Sequence, residues 1–358
     1  MKSASRYEAR VRAVLAATGF VLGTEEERLI REQLKSSRRY FFMVAKRREG
    51  KRLIERFIKI PQNNSKKLLE PFKRQIEFAK YLSARRIIPT RRVIDANVDP
   101  KKGTPYAIME SFPAGSARIG FIWRDQGSEK LGAREARSVF KSIQKLHEAP
   151  WASMPKDLQR LLKRSPSTYE EFTKRVRHAL NRRVIPLDAH KRRREAFHRV
   201  ASRRLDRPEL WSEVADLLAK WEPLIRERAN RRLALIHGDL APNNFYVFDS
   251  GAVEFLDYEW AGYSGNAALA MAFDVGHIRA RTWTSASFRK ALDQAVLRAY
   301  AKRGKKELGR AILSLGTLLF SAQMSGAFEN YPYDKQRLPR QKRRRAITEH
   351  QILEAWEF

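Results

Sequence analysis

Residues 233–266, LALIHGDLAPNNFYVFDSGAVEFLDYEWAGYSGN, alternate short apolar runs with polar clusters. The apolar runs at 233–236, 245–248 and 253–256 have the length and composition of β-strands. Asp-Ser-Gly at 249–251 lies between the last two runs, and its glycine can adopt the positive φ that a tight turn requires. The stretch therefore predicts a small sheet in which a polar loop leads into a β-hairpin.

Three oxygen-bearing side chains follow these strands. Asp239 and Asn244 lie at the start and the end of the polar loop, and Asp257 follows the last strand of the hairpin. We expect them to converge at one end of the sheet. Two of them can hold a hard cation such as Mg²⁺, which keeps its other positions for water and phosphate. The third can orient or deprotonate a hydroxyl, which suits phosphoryl transfer. The alternative is a polar hairpin in which these residues only cap turns.

The spacing His237-x-Asp239-x-x-x-x-Asn244, followed by Asp257, resembles the catalytic core of the aminoglycoside phosphotransferase/choline kinase-like family. The wording His-Gly-Asp-Leu-x-Pro-x-Asn and Asp-Tyr-Glu-x-Ala-Gly-Tyr differs from the His-Arg-Asp and Asp-Phe-Gly of protein kinases, so a protein kinase is disfavoured. The resemblance implies that Asp239 is the catalytic base and that Asn244 and Asp257 are Mg²⁺ ligands.

The same resemblance implies a two-lobed, protein-kinase-like α+β fold. A small N-terminal antiparallel sheet with one helix would accompany a mainly helical C-terminal lobe, with ATP and Mg²⁺ between them. The expected divisions are an N-terminal helical extension (1–35), a nucleotide-binding lobe (36–112), a catalytic and substrate-binding lobe (113–334) and a basic tail (335–358).

Lys59 lies inside the apolar run Phe-Ile-Lys-Ile, where an inward-facing lysine is costly unless it is paired. The resemblance makes it the lysine that contacts the α- and β-phosphates and pairs with a glutamate of the next helix. Gln75 occupies the position where the family usually has that glutamate, so Glu77 is the acid that we predict instead. The alternative is an edge-strand lysine that points to solvent.

Further nucleotide contacts are expected at both ends of the N-terminal lobe. Ser37 and Arg38 lie in the loop before the first strand, which contains no glycine, and their hydroxyl and guanidinium groups are suited to phosphate. A plain connecting loop is the alternative. Backbone groups near Glu110 and Phe112, in what resembles the hinge of the family, would contact the purine.

Composition adds a strong positive charge. The 358 residues include 73 Lys and Arg against 40 Asp and Glu, a formal net charge of +33. Such a surface attracts nucleic acid, anionic lipid or phosphorylated molecules, although it is also compatible with a merely solvated surface. The absence of cysteine excludes disulfides and thiolate metal sites. No apolar run is long enough for a transmembrane segment, and a cytoplasmic protein is the expectation.

The sequence thus predicts an ATP-dependent small-molecule kinase that transfers the γ-phosphoryl group to a hydroxyl. The resemblance implies that the region around 182–194 helps to bind the acceptor, and its basic residues then argue against a polycationic acceptor and for a neutral or anionic one. The alternative is a solvated helix face. Near the usual Gly-Asp-Pro-x-x-Asp of the family, Asn266 and Ala270 replace the two acids, and Asp274 is the candidate substitute for the second. The alternative function is a catalytically weak, kinase-like binding module for nucleic acid or an acidic membrane surface.

Overall fold

The structure is a computed structural model that describes residues 2–24, 26–28, 30, 39–111, 131–184, 209–248, 250–282, 285–329 and 350–358. The helices are α1 Lys2–Thr18, α2 Lys66–Ala84, α3 Ala133–His147, α4 Lys156–Leu161, α5 Tyr169–Val184, α6 Leu210–Arg226, α7 Ala267–Arg281, α8 Ala286–Ala301 and α9 Lys306–Glu329. The strands are β1 Tyr40–Glu49, β2 Arg52–Pro61, β3 Val93–Asn97, β4 Tyr106–Glu110, β5 Lys163–Arg164, β6 Ala234–Ile236, β7 Phe245–Val247, β8 Val253–Phe255 and β9 Gly262–Ser264.

The chain forms two compact units. Unit 1 comprises Met1–Ala117, Ser153–Leu162 and Glu254–Ala261, and unit 2 comprises Arg118–Ala152, Lys163–Val253 and Gly262–Phe358. The chain therefore crosses from unit 2 to unit 1 within β8. As a result, Asp257 belongs to the unit that contains the N-terminal sheet.

Unit 1 is built on an antiparallel sheet with the strand order β1-β2-β4-β3. Gly50, with φ of 60°, makes the turn between β1 and β2, since a side chain there would strain the backbone. Apolar residues pack on the sheet, including the fully buried Phe41 and Ile58. The β2 register places Lys59 between Phe42 of β1 and Ala107 of β4, so this lysine lies on a central strand rather than on an edge.

Helix α2 begins earlier than its sequence predicts. Proline 71 suggests a start at Glu70, because a first-turn proline loses no hydrogen bond. The helix instead starts at Lys66, after Ser65, and Pro71 lies inside it. The physical reason is the apolar face, since Leu68 of the added turn is buried with Phe72.

Unit 2 is mainly helical. Its small sheet has the order β5-β9-β6, and β7 pairs with β8 as the predicted hairpin. Helices α7 and α9 approach each other closely at two glycines. A Cβ on Gly276 would lie 2.4 Å from the carbonyl oxygen of Gly316, and a Cβ on Gly316 would lie 2.4 Å from that of Ala272. Only glycine permits this approach of the two backbones, and α7 carries several residues of the candidate site.

The end of the chain is part of unit 2. Ile352 and Ala355 are fully buried, and the Ala355 carbonyl accepts a hydrogen bond from the Ser314 hydroxyl at 2.7 Å. Glu354 accepts from Arg289 at 3.0 Å and lies 2.8 Å from a nitrogen of Arg279. Residues 350–358 therefore pack into the core, whereas the basic cluster of the predicted tail, at 337–345, lies outside the described residues.

None of the helices in the described part of the chain is long and apolar enough to cross a bilayer. The overall architecture, a small antiparallel sheet accompanied by a mostly helical remainder, confirms the α+β class that the sequence predicts.

Candidate active site

The loop that carries Asp239 is held by a buried carboxylate. Asp274 of α7 is fully buried and accepts hydrogen bonds from the backbone N–H groups of His237, at 2.9 Å, and Gly238, at 3.1 Å. Its Oδ2 also lies 2.9 Å from Nε2 of His147. Gly238 has φ of 82°, a conformation that lets two successive N–H groups face one carboxylate. Asp274 thus braces the loop, as its position in the sequence suggested.

Replacing Asp274 with asparagine is expected to loosen this loop. The substituted amide has one acceptor oxygen in place of two, so at least one buried N–H group loses its partner, at about 1–3 kcal/mol for each. We expect urea denaturation to show a loss of that size. The control is Asp216→Asn on α6, whose side chain is exposed. A stability equal to that of this control would contradict the bracing role.

Hydrogen bonds to Asp239 fix the side-chain amide of Asn244. The turn Pro242–Asn244 brings its amide nitrogen to 2.7 Å from the Asp239 carbonyl oxygen and 3.2 Å from Asp239 Oδ2. Because the nitrogen faces two acceptors, the amide oxygen Oδ1 must point the other way. Within the described residues Oδ1 accepts no hydrogen bond. The two predicted residues of this loop therefore lie side by side, with the amide oxygen of Asn244 turned away from Asp239.

Lys59 is the centre of a buried charge cluster in unit 1. Its side chain is only 1 % exposed, and Nζ lies 2.9 Å from Asp257 Oδ1 and 3.0 Å from Glu259 Oε1. It also donates to Gln75 Oε1 at 2.5 Å, and the Tyr40 ring lies 4.1 Å from it. Burial alone would lower the pKa of Lys59, but the two carboxylates outweigh it and raise that pKa above its ordinary value. The lysine is therefore held in its charged form.

Glu259 reaches Lys59 because of the turn after β8. Asp257 adopts φ of 60°, and the residues Tyr258–Trp260 form a single helical turn. The Arg74 guanidinium of α2 donates to the Glu259 carbonyl at 2.5 Å, which fixes this turn against the helix. Burial raises the pKa of Glu259, Lys59 opposes that rise, and the charge of Asp257 reinforces it. One ammonium group is thus shared by two carboxylates.

The pair predicted between Lys59 and Glu77 is wrong. Glu77 is half-buried and accepts a hydrogen bond from Lys80 at 3.2 Å, whereas the helix residue that contacts Lys59 is Gln75. The reason is helical geometry, since residues two apart point about 200° away from each other around the axis. The acid that replaces the missing helix glutamate is Glu259, which comes from a different part of the chain.

Of the other residues predicted to contact the nucleotide, one lies within the described part of the chain and three lie outside it. Glu110 ends β4, where its carboxylate lies 3.1 Å from Arg92 Nε and its N–H donates to the Arg92 carbonyl. Ser37, Arg38 and Phe112 lie outside the described residues. The predictions for these four residues therefore stay predictions.

The sequence analysis did not identify two residues that lie beside the predicted site residues. Glu259 follows Asp257 by two positions, and the Asp-x-Glu wording in the sequence was the available signal for it. His277 of α7 is 94 % buried, with Nε2 3.4 Å from Asp239 Oδ1. A lone histidine in an apolar helix carries no sequence signal of a partner so distant along the chain.

The sequence and the structure of this chain are similar to those of known phosphotransferases. A profile described as the phosphotransferase enzyme family, APH, matches residues 30–308. No match is found among curated proteins. The solved structure of the GDP and kanamycin complex of APH(2")-IIia is 14 % identical, with a TM-score of 0.50, over 94 % of this chain and 97 % of that chain.

Two other solved structures are similar in extent. A choline/ethanolamine kinase family protein from Mesorhizobium loti is 15 % identical, with a TM-score of 0.44, over 92 % of this chain and 98 % of that chain. An ethanolamine kinase from Plasmodium vivax is 12 % identical, with a TM-score of 0.46, over 88 % of this chain and 79 % of that chain. Because the family profile covers most of the sequence, the chain belongs to the phosphotransferase enzyme family.

Proposed function

We propose that this phosphotransferase moves the γ-phosphoryl group of ATP to a hydroxyl of a small-molecule acceptor, with Asp239 as the base that orients and deprotonates that hydroxyl. The observation that carries the proposal is the Asp239–Asn244 contact on a loop braced by Asp274. A carboxylate held beside an outward amide oxygen supplies both a proton acceptor and a metal ligand. A turn-capping role alone would not require the buried brace.

Each of the two predicted Mg²⁺ ligands carries an oxygen of the kind that this ion prefers. Asn244 offers an amide oxygen, and the Asp257 side chain remains 36 % exposed while one of its oxygens contacts Lys59. No group of three or more His, Asp or Glu side chains arranged to hold a metal occurs in the described part of the chain. Mg²⁺ usually takes one or two carboxylates and fills its other positions with phosphate and water, so it does not need such a group. Bound Mg²⁺ would neutralise charge on the transferring phosphate.

Lys59 would contact the ATP phosphates. It is charged, buried and fixed by Asp257 and Glu259, so its ammonium is placed without further loss of side-chain freedom. Its two carboxylate partners also keep it from being drawn to other anions in the absence of nucleotide. In this arrangement Glu259 acts through Lys59, as a positioning residue.

The proposal predicts that Mg²⁺ and ATP together stabilise the protein. At a free concentration of 100 times the dissociation constant, binding to the folded state adds about 2.7 kcal/mol to the free energy of unfolding. We expect Mg-ATP to raise the melting temperature of the wild type, and both ATP with EDTA and Asp257→Ala with Mg-ATP to give a smaller rise. Equal shifts in all three samples would count against a nucleotide–metal site.

A second candidate is a binding module for nucleic acid or an anionic membrane surface, which the net charge of +33 favours. The glutamine at position 75, in place of the usual helix glutamate, also suggested weak catalysis. Because Asp257 and Glu259 both pair with Lys59, the glutamine at position 75 does not leave this lysine without an acid, which weakens the argument for weak catalysis. RNA binding whose affinity falls steeply with salt, in a protein that does not respond to Mg-ATP, would favour this candidate.

A further inference from the structure

One face of α7 runs past Asp239. Phe273, His277 and Arg281 follow each other at four-residue spacing, so they form a row along this face. His277 Nε2 lies 3.4 Å from Asp239 Oδ1, and its ring stacks on Phe320 at 4.6 Å. The Phe320 ring meets Phe273 edge-on at 4.8 Å. An aromatic wall thus begins at the carboxylate proposed as the base.

Two guanidinium groups adjoin this wall. Arg175 of α5 lies over the Phe273 ring, with 4.8 Å between the guanidinium carbon and the ring centre. Arg281 continues the row on α7, one helical turn beyond His277, and its Nε is buried. Within the described residues, neither arginine forms an ion pair and Arg281 Nε has no hydrogen-bond partner. Burial alone lowers the pKa of Arg175, with no acid acting against it.

The nearby acids form no ion pair with either arginine within the described residues. Both Asp274 oxygens accept backbone N–H groups of the loop, and one oxygen of Asp239 contacts the Asn244 amide. Both arginine side chains are partly buried, and burying part of a guanidinium group without a counter-ion costs free energy. Such an arrangement is found where a ligand supplies the missing negative charge. The two arginines therefore have the features of a binding site rather than of a structural ion pair.

His277 adds no charge to the wall. Burial lowers the pKa of His277 well below its ordinary value, and the positive groups of Arg281, His237 and Arg175 lower it further. The histidine is thus neutral at pH 7, and the positive charges near the wall are those of Arg175 and Arg281, which form no ion pair within the described residues. A cationic acceptor would meet repulsion there, while an anion would meet two donors suited to paired hydrogen bonds.

We propose that Arg175 and Arg281 bind an anionic group, a carboxylate or a phosphate, of the acceptor whose hydroxyl meets Asp239. This inference rests on the proposed function and narrows its substrate to hydroxylated anions. In the reaction, the hydroxyl proton passes to Asp239, the oxygen forms a bond to the γ-phosphorus, and the bond to the β-phosphate oxygen breaks to release ADP. The arginines take no part in these bond changes and only place the acceptor.

Matched acceptors test the inference. ADP release would be measured with four acceptors: glycerol, D-glycerate, sn-glycerol 3-phosphate and choline. The proteins are the wild type, Arg175→Gln, Arg281→Gln and the control Arg177→Gln. The Arg177 side chain is exposed on α5. We expect the wild type to prefer the anionic compounds. Arg175→Gln and Arg281→Gln should each raise the KM for the anionic compounds about 10- to 100-fold, with an unchanged KM for ATP. A preference for choline, or equal KM values in Arg175→Gln, Arg281→Gln and Arg177→Gln, would overturn the inference while leaving the kinase intact.

Inorganic phosphate provides a test that needs no turnover. We expect phosphate to raise the melting temperature of the wild type and of Arg177→Gln equally, and to raise that of the double variant Arg175→Gln/Arg281→Gln by less. Equal shifts in all three proteins would overturn the anion site, even if none of the acceptors above is phosphorylated. Failure of the proposed function would look different, since Asp239→Asn would then release ADP as fast as the wild type.

Discussion

Replacing Lys59 with methionine is expected to destabilise the protein by about 3–5 kcal/mol, the usual cost of leaving a buried charge without its partner. The substitution removes the ammonium group shared by Asp257 and Glu259. Arg39, which is more than half exposed and 4.0 Å from Glu259, compensates little. The free energy of unfolding from urea denaturation measures the loss.

The loss should depend on pH in a definite direction. Burial already raises the pKa of Glu259, and removal of Lys59 raises it further. An acid whose pKa is higher in the folded than in the unfolded protein destabilises the fold as pH rises above its unfolded value, about 4.3. The difference between Lys59→Met and the wild type should therefore grow from pH 5 to pH 8.

A second variant separates charge from packing. Adding Glu259→Gln to Lys59→Met should recover part of the lost stability, because the neutral amide no longer needs a cation. The matched control is Lys80→Met, which removes an exposed lysine paired with Glu77 and should cost less than about 0.5 kcal/mol. If Lys59→Met costs no more than Lys80→Met, the charge cluster is not a stabilising feature of unit 1.

Replacing Asp239 with asparagine is expected to lower kcat by about 10²- to 10⁴-fold, the usual contribution of a positioned general base. The amide has nearly the same shape but cannot take the hydroxyl proton. The KM for ATP should change little, since Asp239 faces the acceptor in the proposed arrangement. Steady-state ADP release with a saturating acceptor measures both constants.

The control for this change is again Asp216→Asn, an exposed aspartate of α6. The melting temperature of Asp239→Asn should stay near that of the wild type, because the Asp239 side chain is 32 % exposed and the loop is held by Asp274. An Asp239→Asn protein that is folded and retains kcat within a few-fold of Asp216→Asn would exclude the base assignment.

Much of the fold follows from local signals in the sequence. The runs at 233–236, 245–248 and 253–256 form β6, β7 and β8 within a residue of their predicted bounds, since β-rich composition and a glycine turn act over a few residues. The Lys59 strand was predicted for the same reason. The resemblance to the aminoglycoside phosphotransferase-like family came from the motifs, and the family profile confirms the family.

The parts that were not predicted depend on contacts far apart along the chain. Glu259 replaces a helix glutamate because the turn after β8 carries it to Lys59, a pairing across 200 residues. Arg175 and His277 can be recognised as neighbours of the candidate site only once the fold brings α5 and α7 together beside Asp239. Periodicity places such residues on a helix face but does not say what the face meets.

The most direct test of the central claim is the fate of the γ-phosphate. Labelled ATP, Mg²⁺ and a mixture of small hydroxylated metabolites would be incubated with the wild type, Asn244→Ala and Asp257→Ala, and the labelled products separated. The account predicts that the wild type transfers label to a small molecule only when Mg²⁺ is present, and that both variants transfer it at least about 100-fold more slowly. Transfer by both variants at the wild-type rate, or by the wild type in excess EDTA, would contradict it.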